Sequence, residues 1–218
     1  GGDVDKIINR APKQLSLEAK ITGRAAHAGV HPEQGINAIK VASYAIMKMK
    51  LGRIDSETTA NIGIISGGVA TNIVPEEVII KGEARSHNKK KLKRQINNIT
   101  KALTYACRKY RASIRLKVDP MYESFNLSEK SKIVQLVKDA SRKINIRPKI
   151  CPTGGGSDAN IFNENGIDCV ILGVGGNNVH TPKENIAIKD LVKGTELILA
   201  ILRETVGIIG EDPVRASF

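Results

Sequence analysis

The order of hydrophobic periodicities over residues 14–119 constrains the fold more than any other feature of the sequence. Apolar residues alternate where a strand is expected and recur every three or four positions where a helix is expected. The predicted elements are strands at 14–22, 58–66, 77–85 and 113–119, a helix at about 32–51 and a second helix that follows Asn88. This β-α-β-β-α-β order predicts a ferredoxin-like unit, in which two helices cover one face of a four-stranded antiparallel sheet.

The apolar patterns of the first helix and of the strand at 77–85 also predict which side chains face the core. Four residues of the first helix fall on one line and are therefore expected to face the core, namely Ile39, Ala42, Ile46 and Met49. In the strand at 77–85, the alternation sends Arg85 to the face opposite the apolar residues.

After residue 120 the pattern becomes that of an α/β layer. Ser128 is predicted to cap a helix, and a short strand at 148–151 leads through a Gly-rich turn into a short helix. A buried strand at 169–173 and a long helix at 188–206 complete the series. Three helices and two short strands make an incomplete α/β layer. We therefore expect its remaining strands in sequence outside this chain, with the ferredoxin-like unit as an insertion.

The net charge of +12 raises the question of an anionic partner. Basic residues are densest in the run Lys89-Lys90-Lys91-Leu92-Lys93-Arg94, and tryptophan is absent while aromatic residues make up only 3%. A base-stacking surface therefore has little to be built from. We interpret the run as a solvated helix face and expect no nucleic-acid partner, while an anionic substrate or an acidic partner domain stays open.

The expected location follows from the cysteines and the apolar runs. Cys107, Cys151 and Cys169 are widely spaced and form no C-x-x-C pair, which is typical of reduced thiols in a cytoplasmic protein. No apolar run approaches the roughly 20 residues that span a bilayer, and no basic-then-apolar leader is present at the start. We therefore expect neither a membrane partner nor export.

Two Gly-rich segments could support chemistry in the second half of the chain. His180 follows a predicted strand in a Gly/Asn loop, where imidazole could bind zinc with Glu184 orienting it, although a lone loop histidine is more commonly structural. Gly154, Gly155 and Gly156 precede a helix and would let a ligand approach the backbone, but a plain tight turn explains them equally well. The segment lacks the P-loop pattern.

A third segment leaves the first strand and opens the first helix. His27 lies within it between small residues, as if a ligand must approach closely. Asn72 and Arg85 are less specific, being a turn residue and a strand-end residue. Arg85 could nevertheless hold a carboxylate through a bidentate fork.

Five segments, taken together and in order, resemble one known family. They are Gly23-Arg-Ala-Ala-His-Ala-Gly with Gly35-Ile-Asn-Ala-Ile, Gly67-Gly-Val-Ala-Thr-Asn-Ile-Val-Pro-Glu, Gly82-Glu-Ala-Arg-Ser, Gly154-Gly-Gly-Ser-Asp-Ala and Asn178-Val-His-Thr-Pro-Lys-Glu. This series resembles the di-zinc exopeptidase and amidohydrolase family of peptidase T, aminoacylase-1 and the carboxypeptidase G type enzymes. Peptidase-T-like aminopeptidases are the most similar group.

The resemblance implies an α/β zinc-exopeptidase catalytic domain interrupted by a ferredoxin-like lid that commonly forms the dimer interface. Residues 1–13 would then end a first catalytic segment, 14–119 would form the lid, and 120–218 would form the C-terminal part of the catalytic domain. It also implies two zinc ions per subunit in the full-length enzyme, with another divalent metal left open. The substrate would be a small peptide or an N-acyl amino acid, and the partner a second copy bound through the lid.

The same resemblance implies roles for individual residues. His180 matches a metal ligand, and His27 matches a lid histidine that stabilises the oxyanion formed when metal-activated water attacks the amide. The residues that match substrate-binding groups, particularly for a carboxylate, are Asn72, Arg85, Gly154, Gly155 and Gly156. A strand over 77–85 spans roughly 26 Å, so Asn72 and Arg85 could share one small ligand only across a dimer.

One departure from the family limits this assignment. The His-x-Asp motif does not occur in this sequence, and the bridging Asp and the Glu-Glu pair that normally precede the lid find no match ahead of residue 14. His180 alone cannot hold two metal ions. We therefore expect the chain to be the lid and C-terminal catalytic portion of a longer metallopeptidase, and expect the chain by itself neither to bind two zinc ions tightly nor to hydrolyse peptides.

Several functions stay open at this point. An aminopeptidase or tripeptidase is favoured, with an N-acyl amino acid deacylase or a carboxypeptidase of the same family as alternatives. A non-catalytic ferredoxin-like module for dimerisation or ligand binding, and a basic nucleic-acid-binding domain, are the competing classes.

Overall fold

A computed structural model describes residues 2–210. The chain divides into two compact units, one made of residues 12–124 and the other of residues 1–11 with 125–218. Residue 1 and residues 211–218, which belong to the expected catalytic segments, lie outside the described residues.

The described residues form eleven strands and five α-helices. In order they are β1 (Lys6–Ala11), β2 (Lys13–Thr22), α1 (Ala38–Lys48), β3 (Gly52–Asp55), β4 (Thr58–Gly67), β5 (Glu77–Ser86), α2 (Lys89–Tyr110), β6 (Ser113–Tyr122), β7 (Phe125–Asn126), α3 (Lys132–Lys143), β8 (Lys149–Pro152), α4 (Asp158–Glu164), β9 (Ile171–Leu172), β10 (Gly176–Asn177), β11 (Asn185–Ile186) and α5 (Ile188–Gly210). None of the helices within residues 2–210 is long and apolar enough to span a membrane.

The unit of residues 12–124 contains the predicted ferredoxin-like arrangement. Its antiparallel sheet has the strand order β3-β4-β5-β2-β6. The prediction of four strands was wrong by one, because β3 joins the edge of the sheet as a hairpin with β4. β3 has four residues and no buried side chain, so it carries no alternation by which a sequence pattern could reveal it.

The sheet and the two helices enclose one core. It contains Ala19 and Ile21 of β2, Ile80 of β5 and Leu103 of α2, all completely buried. Arg85 lies on the opposite face of β5, as predicted from the alternation. Fully burying an Ile or Leu side chain contributes roughly 1.5–3 kcal/mol, so Ile21, Ile80 and Leu103 each stabilise the unit substantially.

The first helix begins later than predicted, and it buries a different set of residues. Residues 32–34 form a 3-10 turn, and α1 starts only at Ala38, because the Asn37 side chain accepts the Lys40 N–H at 2.9 Å and caps the helix. The small residues Ala38, Val41, Ala42 and Ala45 face the core. Ile39 was expected there but is 39% exposed.

The second unit has β1 at the centre of a small sheet. β8 pairs with β1 in parallel, and β7 and β9 pair with β1 antiparallel. β1 was not predicted as a strand, and the strand predicted at 169–173 is limited to Ile171–Leu172. Three helices, α3, α4 and α5, occur as predicted.

The cap predicted for α3 was wrong. Ser131, not Ser128, is the residue that precedes the helix. Ser128 instead forms the turn before it, where its carbonyl accepts the Ser131 N–H at 3.0 Å and its hydroxyl accepts the Lys130 N–H at 3.2 Å. A serine that bonds its own turn is not available as a helix cap.

Buried side chains of the second unit lie on β1 and α3, among them Ile7 and Val134, and in two small clusters. Its two clusters hold three buried side chains each, namely Val4, Ile146 and Leu197, and Ala11, Phe125 and Ala159. On α5, Leu191, Leu199 and Leu202 are each about half exposed. An apolar face of this kind is typical of a surface that another polypeptide segment covers.

Candidate functional site

His27 lies in the loop that leaves β2. The loop is tied down where Arg24 and Ile36 exchange two backbone hydrogen bonds, of 3.0 and 2.9 Å. Gly23 is required at the start of the loop, because a Cβ there would lie 2.0 Å from the Ile36 carbonyl oxygen. The close contact of these backbones holds the loop against the sheet and leaves His27 exposed.

The imidazole of His27 has a defined orientation. Its Nδ1 accepts the Gly29 N–H at 3.2 Å. In a neutral imidazole only one ring nitrogen carries a proton, so this bond assigns the proton to Nε2. The ring therefore presents an N–H donor on its far edge, which is the group that an oxyanion requires.

The structure brings Asn72 next to His27. The Asn72 carbonyl accepts the Ala28 N–H at 3.0 Å, and Ile73 forms a backbone bridge opposite His27. Asn72 is an exposed turn residue, as the sequence suggested. A cavity of about 540 Å³ adjoins this pair of loops and is lined by Ala28, Asn37, Val69, Ala70, Thr71 and Ile73.

Arg85 lies at the other end of the same sheet. β5 is one continuous strand, so eight residue steps of about 3.3 Å separate Glu77, near the Asn72 turn, from Arg85 by roughly 26 Å. The structure therefore does not bring Arg85 together with His27 and Asn72 within one chain.

The Arg85 guanidinium is held by a bidentate ion pair with Glu83. Its Nε and Nη2 each donate to a Glu83 oxygen at 2.8 Å. This pairing raises the pKa of Arg85 above its ordinary value. Gln14 donates to the same carboxylate at 2.7 Å and accepts the Tyr122 hydroxyl at 2.5 Å. Within the described residues Nη1 bonds no protein group, so the end of the guanidinium stays open to a second carboxylate.

Sequence reasoning missed the residues that hold Arg85. Glu83 and Arg85 are two residues apart on one strand and so share a face, which is a signal that alternation could have provided. Gln14 and Tyr122 gave no such signal. They lie on β2 and β6, and only the pairing of these strands in the sheet brings them close to Arg85.

The Gly-rich segment of the second unit is open. A Cβ at Gly154 would contact nothing within 4 Å, and one at Gly155 would meet only the Thr153 hydroxyl at 3.7 Å. Neither glycine has a positive φ. The surrounding structure thus does not require glycine at Gly154 or Gly155, and the space beside these two residues is open to a ligand or another chain segment.

His180 lies in the loop between β10 and β11 with a left-handed backbone, φ 65°. Glu184 was expected to orient the imidazole, but its carboxylate instead accepts the His180 backbone N–H at 3.1 Å. Asn178, also left-handed at φ 52°, accepts the Thr181 hydroxyl at 2.7 Å through its carbonyl. These bonds fix the loop and leave the His180 side chain exposed.

The donor set does not fit a binuclear metal centre by itself. Within residues 2–210 no group of three or more His, Cys, Asp or Glu side chains comes together. A zinc site requires three or four protein ligands, so His180 could contribute one ligand but could not hold an ion alone.

Comparison with known proteins identifies the first unit. Residues 13–111 match a family model described as the peptidase dimerisation domain. The Bacillus subtilis protein YqjE is 43% identical over 93% of this chain and 55% of its own length.

Two solved structures are similar over nearly the whole chain. Aminopeptidase PepT from Bacillus cereus has a TM-score of 0.79 and 42% identity, covering 94% of this chain and 55% of its own. A tripeptidase from Staphylococcus aureus has a TM-score of 0.84 and 38% identity, covering 92% of this chain and 54% of its own. The chain spans about half the length of the relatives that it matches.

Proposed function

The chain is a relative of the peptidase T family and carries the family's dimerisation domain in residues 13–111, and on this premise we propose that it is part of an exopeptidase acting on small peptides. Aminopeptidase and tripeptidase relatives at about 40% identity support this class of activity. The observation that carries the proposal within this chain is the hydrogen bond from the Gly29 N–H to His27 Nδ1, which leaves Nε2 as the donor of a neutral ring.

His27 is proposed to stabilise the oxyanion that forms when water attacks the scissile amide. Gly29 occupies Nδ1, so the Nε2 proton is free to donate to the developing charge. Because His27 is in an anchored loop, the donor is positioned before the substrate arrives. Removing one such donor typically costs about 2.7–4 kcal/mol of transition-state stabilisation.

Asn72, Arg85, Gly154, Gly155 and Gly156 are proposed to hold the substrate. The open end of the Arg85 guanidinium suits a substrate carboxylate, because two parallel N–H donors match two carboxylate oxygens. The roughly 26 Å between Arg85 and the Asn72 loop supports a site shared between two subunits.

The homodimer is proposed to form through the free edge of β4. β3 pairs with β4 only at residues 58–60, so residues 61–67 have a strand neighbour on one side only within the described residues. Ile64 and Ile65 on this edge are about half exposed, and Val69 beyond it is 87% exposed. An open apolar edge of this kind pairs readily with a second copy.

A lysine on this edge tests the dimer. Ile65→Lys should convert the dimer to a monomer in sedimentation velocity, because a charge on an edge strand opposes strand pairing. Met121→Lys, which is equally exposed on the opposite edge strand β6, should leave the dimer unchanged. A dimer that survives Ile65→Lys would exclude this edge.

Zinc is the proposed metal, two ions per subunit, with His180 as the one ligand that this chain supplies. Bound zinc would provide an activated water at neutral pH. The described residues lack the remaining metal donors. We propose that these donors come from a segment equivalent to the half of the relatives that this chain does not cover. The cytoplasm is proposed as the location, on the basis of three free cysteines.

The test of His27 uses the longer enzyme of which we propose this chain is a part. His27→Gln should lower kcat by about 10²–10³ while the zinc content is unchanged. His31→Gln is the matched control, because His31 is an exposed residue of the same loop whose Nδ1 contacts Glu33 at 3.3 Å. Equal losses of activity in both variants, or loss of zinc with His27→Gln, would contradict the proposed role.

A further inference from the structure

Nearly all of the net charge lies in one unit. Residues 12–124 contain 20 Lys and Arg against nine Asp and Glu, a net charge of +11 out of the total +12. The helices α1 and α2 contain ten Lys and Arg residues and no Asp or Glu. Because both helices pack on the same core against the sheet, the helical side of this unit is strongly positive.

The exposed cations of α2 form one row. Lys90, Arg94, Lys101 and Arg108 are exposed and are separated by four, seven and seven residues. Such spacings return to the same face of a helix, and the row extends over roughly 27 Å at about 1.5 Å per residue. We call these four residues the basic stripe. None of the four forms an ion pair with a described carboxylate, whereas the neighbouring Lys91 contacts Glu57 at 2.8 Å.

The basic stripe is unfavourable for the isolated helix. Lys90 and Arg94 are like charges four residues apart, an arrangement that destabilises a helix. Both also lie near the N-terminus of α2, where the helix dipole favours anions. A partner that places carboxylates along the stripe would remove both penalties, so the stripe is poised for an anionic ligand.

The aromatic residues on this side disfavour nucleic acid as that ligand. The Lys109 ammonium lies 4.3 Å from the Tyr44 ring centroid and 5.7 Å from that of Tyr110. Tyr105 stacks on Tyr44 with centroids 6.2 Å apart. Because cations and other rings cover these faces, they are poorly placed to stack on bases, which is how single-stranded nucleic acid is usually held.

We propose that the basic stripe binds an acidic helical segment of a protein partner. Arg94, Lys101 and Arg108 recur every seven residues, about 10.5 Å apart. A helix lying along α2 with Glu or Asp at the same interval places one carboxylate opposite each cation. The stripe shares no residue with the proposed peptidase site, so this interaction stands independently of that activity.

Binding is tested with the chain itself and a fluorescein-labelled Glu/Ala helical peptide as long as α2, with glutamates at seven-residue intervals. Fluorescence anisotropy at moderate salt should show saturable binding that weakens as salt rises. The matching Gln/Ala peptide should not bind. The triple variant Arg94→Glu, Lys101→Glu and Arg108→Glu should weaken binding by about tenfold or more, as expected for losing three exposed ion pairs.

The matched control reverses three charges on the opposite face of the same unit. Lys81→Glu, Arg115→Glu and Lys117→Glu lie on the sheet face that the helices do not cover and should change the Kd by about twofold at most. If the stripe variant unfolds in circular dichroism, Lys101→Gln with Arg108→Gln replaces it and should still weaken binding measurably.

Three results would overturn the proposal. The first is no binding of the Glu/Ala peptide, and the second is equal weakening by the stripe and control variants. The third is tighter binding of mixed-sequence single-stranded DNA than of the peptide, with a steep salt slope, which would identify a phosphate-binding surface instead.

Discussion

Gly23→Ala tests whether the anchored loop positions His27. The added Cβ would lie 2.0 Å from the Ile36 carbonyl oxygen, whereas real Cβ contacts stay beyond 3.0 Å. The two backbones must therefore move apart by about 1 Å. That shift breaks the two hydrogen bonds between Arg24 and Ile36, now 3.0 and 2.9 Å long.

The expected magnitude follows from those two bonds. Each contributes about 1 kcal/mol net, so the free energy of unfolding should fall by about 2 kcal/mol. For a unit of this size the Tm should fall by roughly 8 °C. Amide hydrogen exchange should accelerate at Arg24 and Ile36, and in the proposed longer enzyme kcat should fall because His27 would lose its fixed position.

Gly63→Ala is the control in the same sheet. A Cβ there would meet only the Asn61 side-chain nitrogen at 3.6 Å, and φ at Gly63 is not positive, so the Tm should stay the same or rise slightly. Equal Tm values for Gly23→Ala and Gly63→Ala, or a lower Tm for Gly23→Ala with unchanged exchange at Arg24, would refute a role of these two hydrogen bonds in holding the loop.

Three further predictions concern charge and the second unit. Lys90→Glu should raise the stability of the 12–124 unit by about 1 kcal/mol in urea unfolding, because it replaces repulsion by a pair with Arg94 and suits the helix dipole. Lys13 and Lys89 hold the pKa of Glu123 below its usual value of 4.5, so its contribution is present above that pH and is lost on acidification. Stability measured by urea unfolding should therefore fall less steeply below about pH 4.5 in Glu123→Gln than in the wild type. Gly154→Ala should leave the Tm unchanged, since no atom lies within 4 Å of the added carbon, yet should raise KM in the proposed longer enzyme if substrate approaches that backbone. A large fall in Tm with unchanged KM would contradict the prediction that the space beside Gly154 is open and receives the substrate.

Local patterns predicted much of the fold. The strands β2, β4, β5 and β6 and the helix α2 begin within a residue or two of their predicted positions. This is possible because side-chain periodicity is a property of consecutive residues. The ferredoxin-like order was therefore readable before any contact was known, and it is confirmed.

Elements without a periodic pattern could not be found in this way. β3 is exposed and short, and β1 is six residues long with a burial pattern that does not alternate. Each becomes a strand through its partner, β3 through the hairpin with β4 and β1 through flanking strands from the far end of the chain. Ile39 was misplaced because α1 buries the row Ala38, Val41, Ala42 and Ala45, and a search for large apolar side chains does not single out a row made mostly of alanine.

For the candidate site, the sequence and the tertiary structure likewise supplied different information. The sequence by itself selected the candidates for chemistry, His27, Asn72, Arg85 and His180 among them, because motif order and residue type are read along the chain, and their roles stay predictions. Only the tertiary structure decided that Asn72 adjoins His27, that Gly29 binds Nδ1, and that Glu83 holds Arg85 through a network reaching Gln14, 69 residues away. Those relations depend on strand register and loop contact, which bring together residues that are distant along the chain.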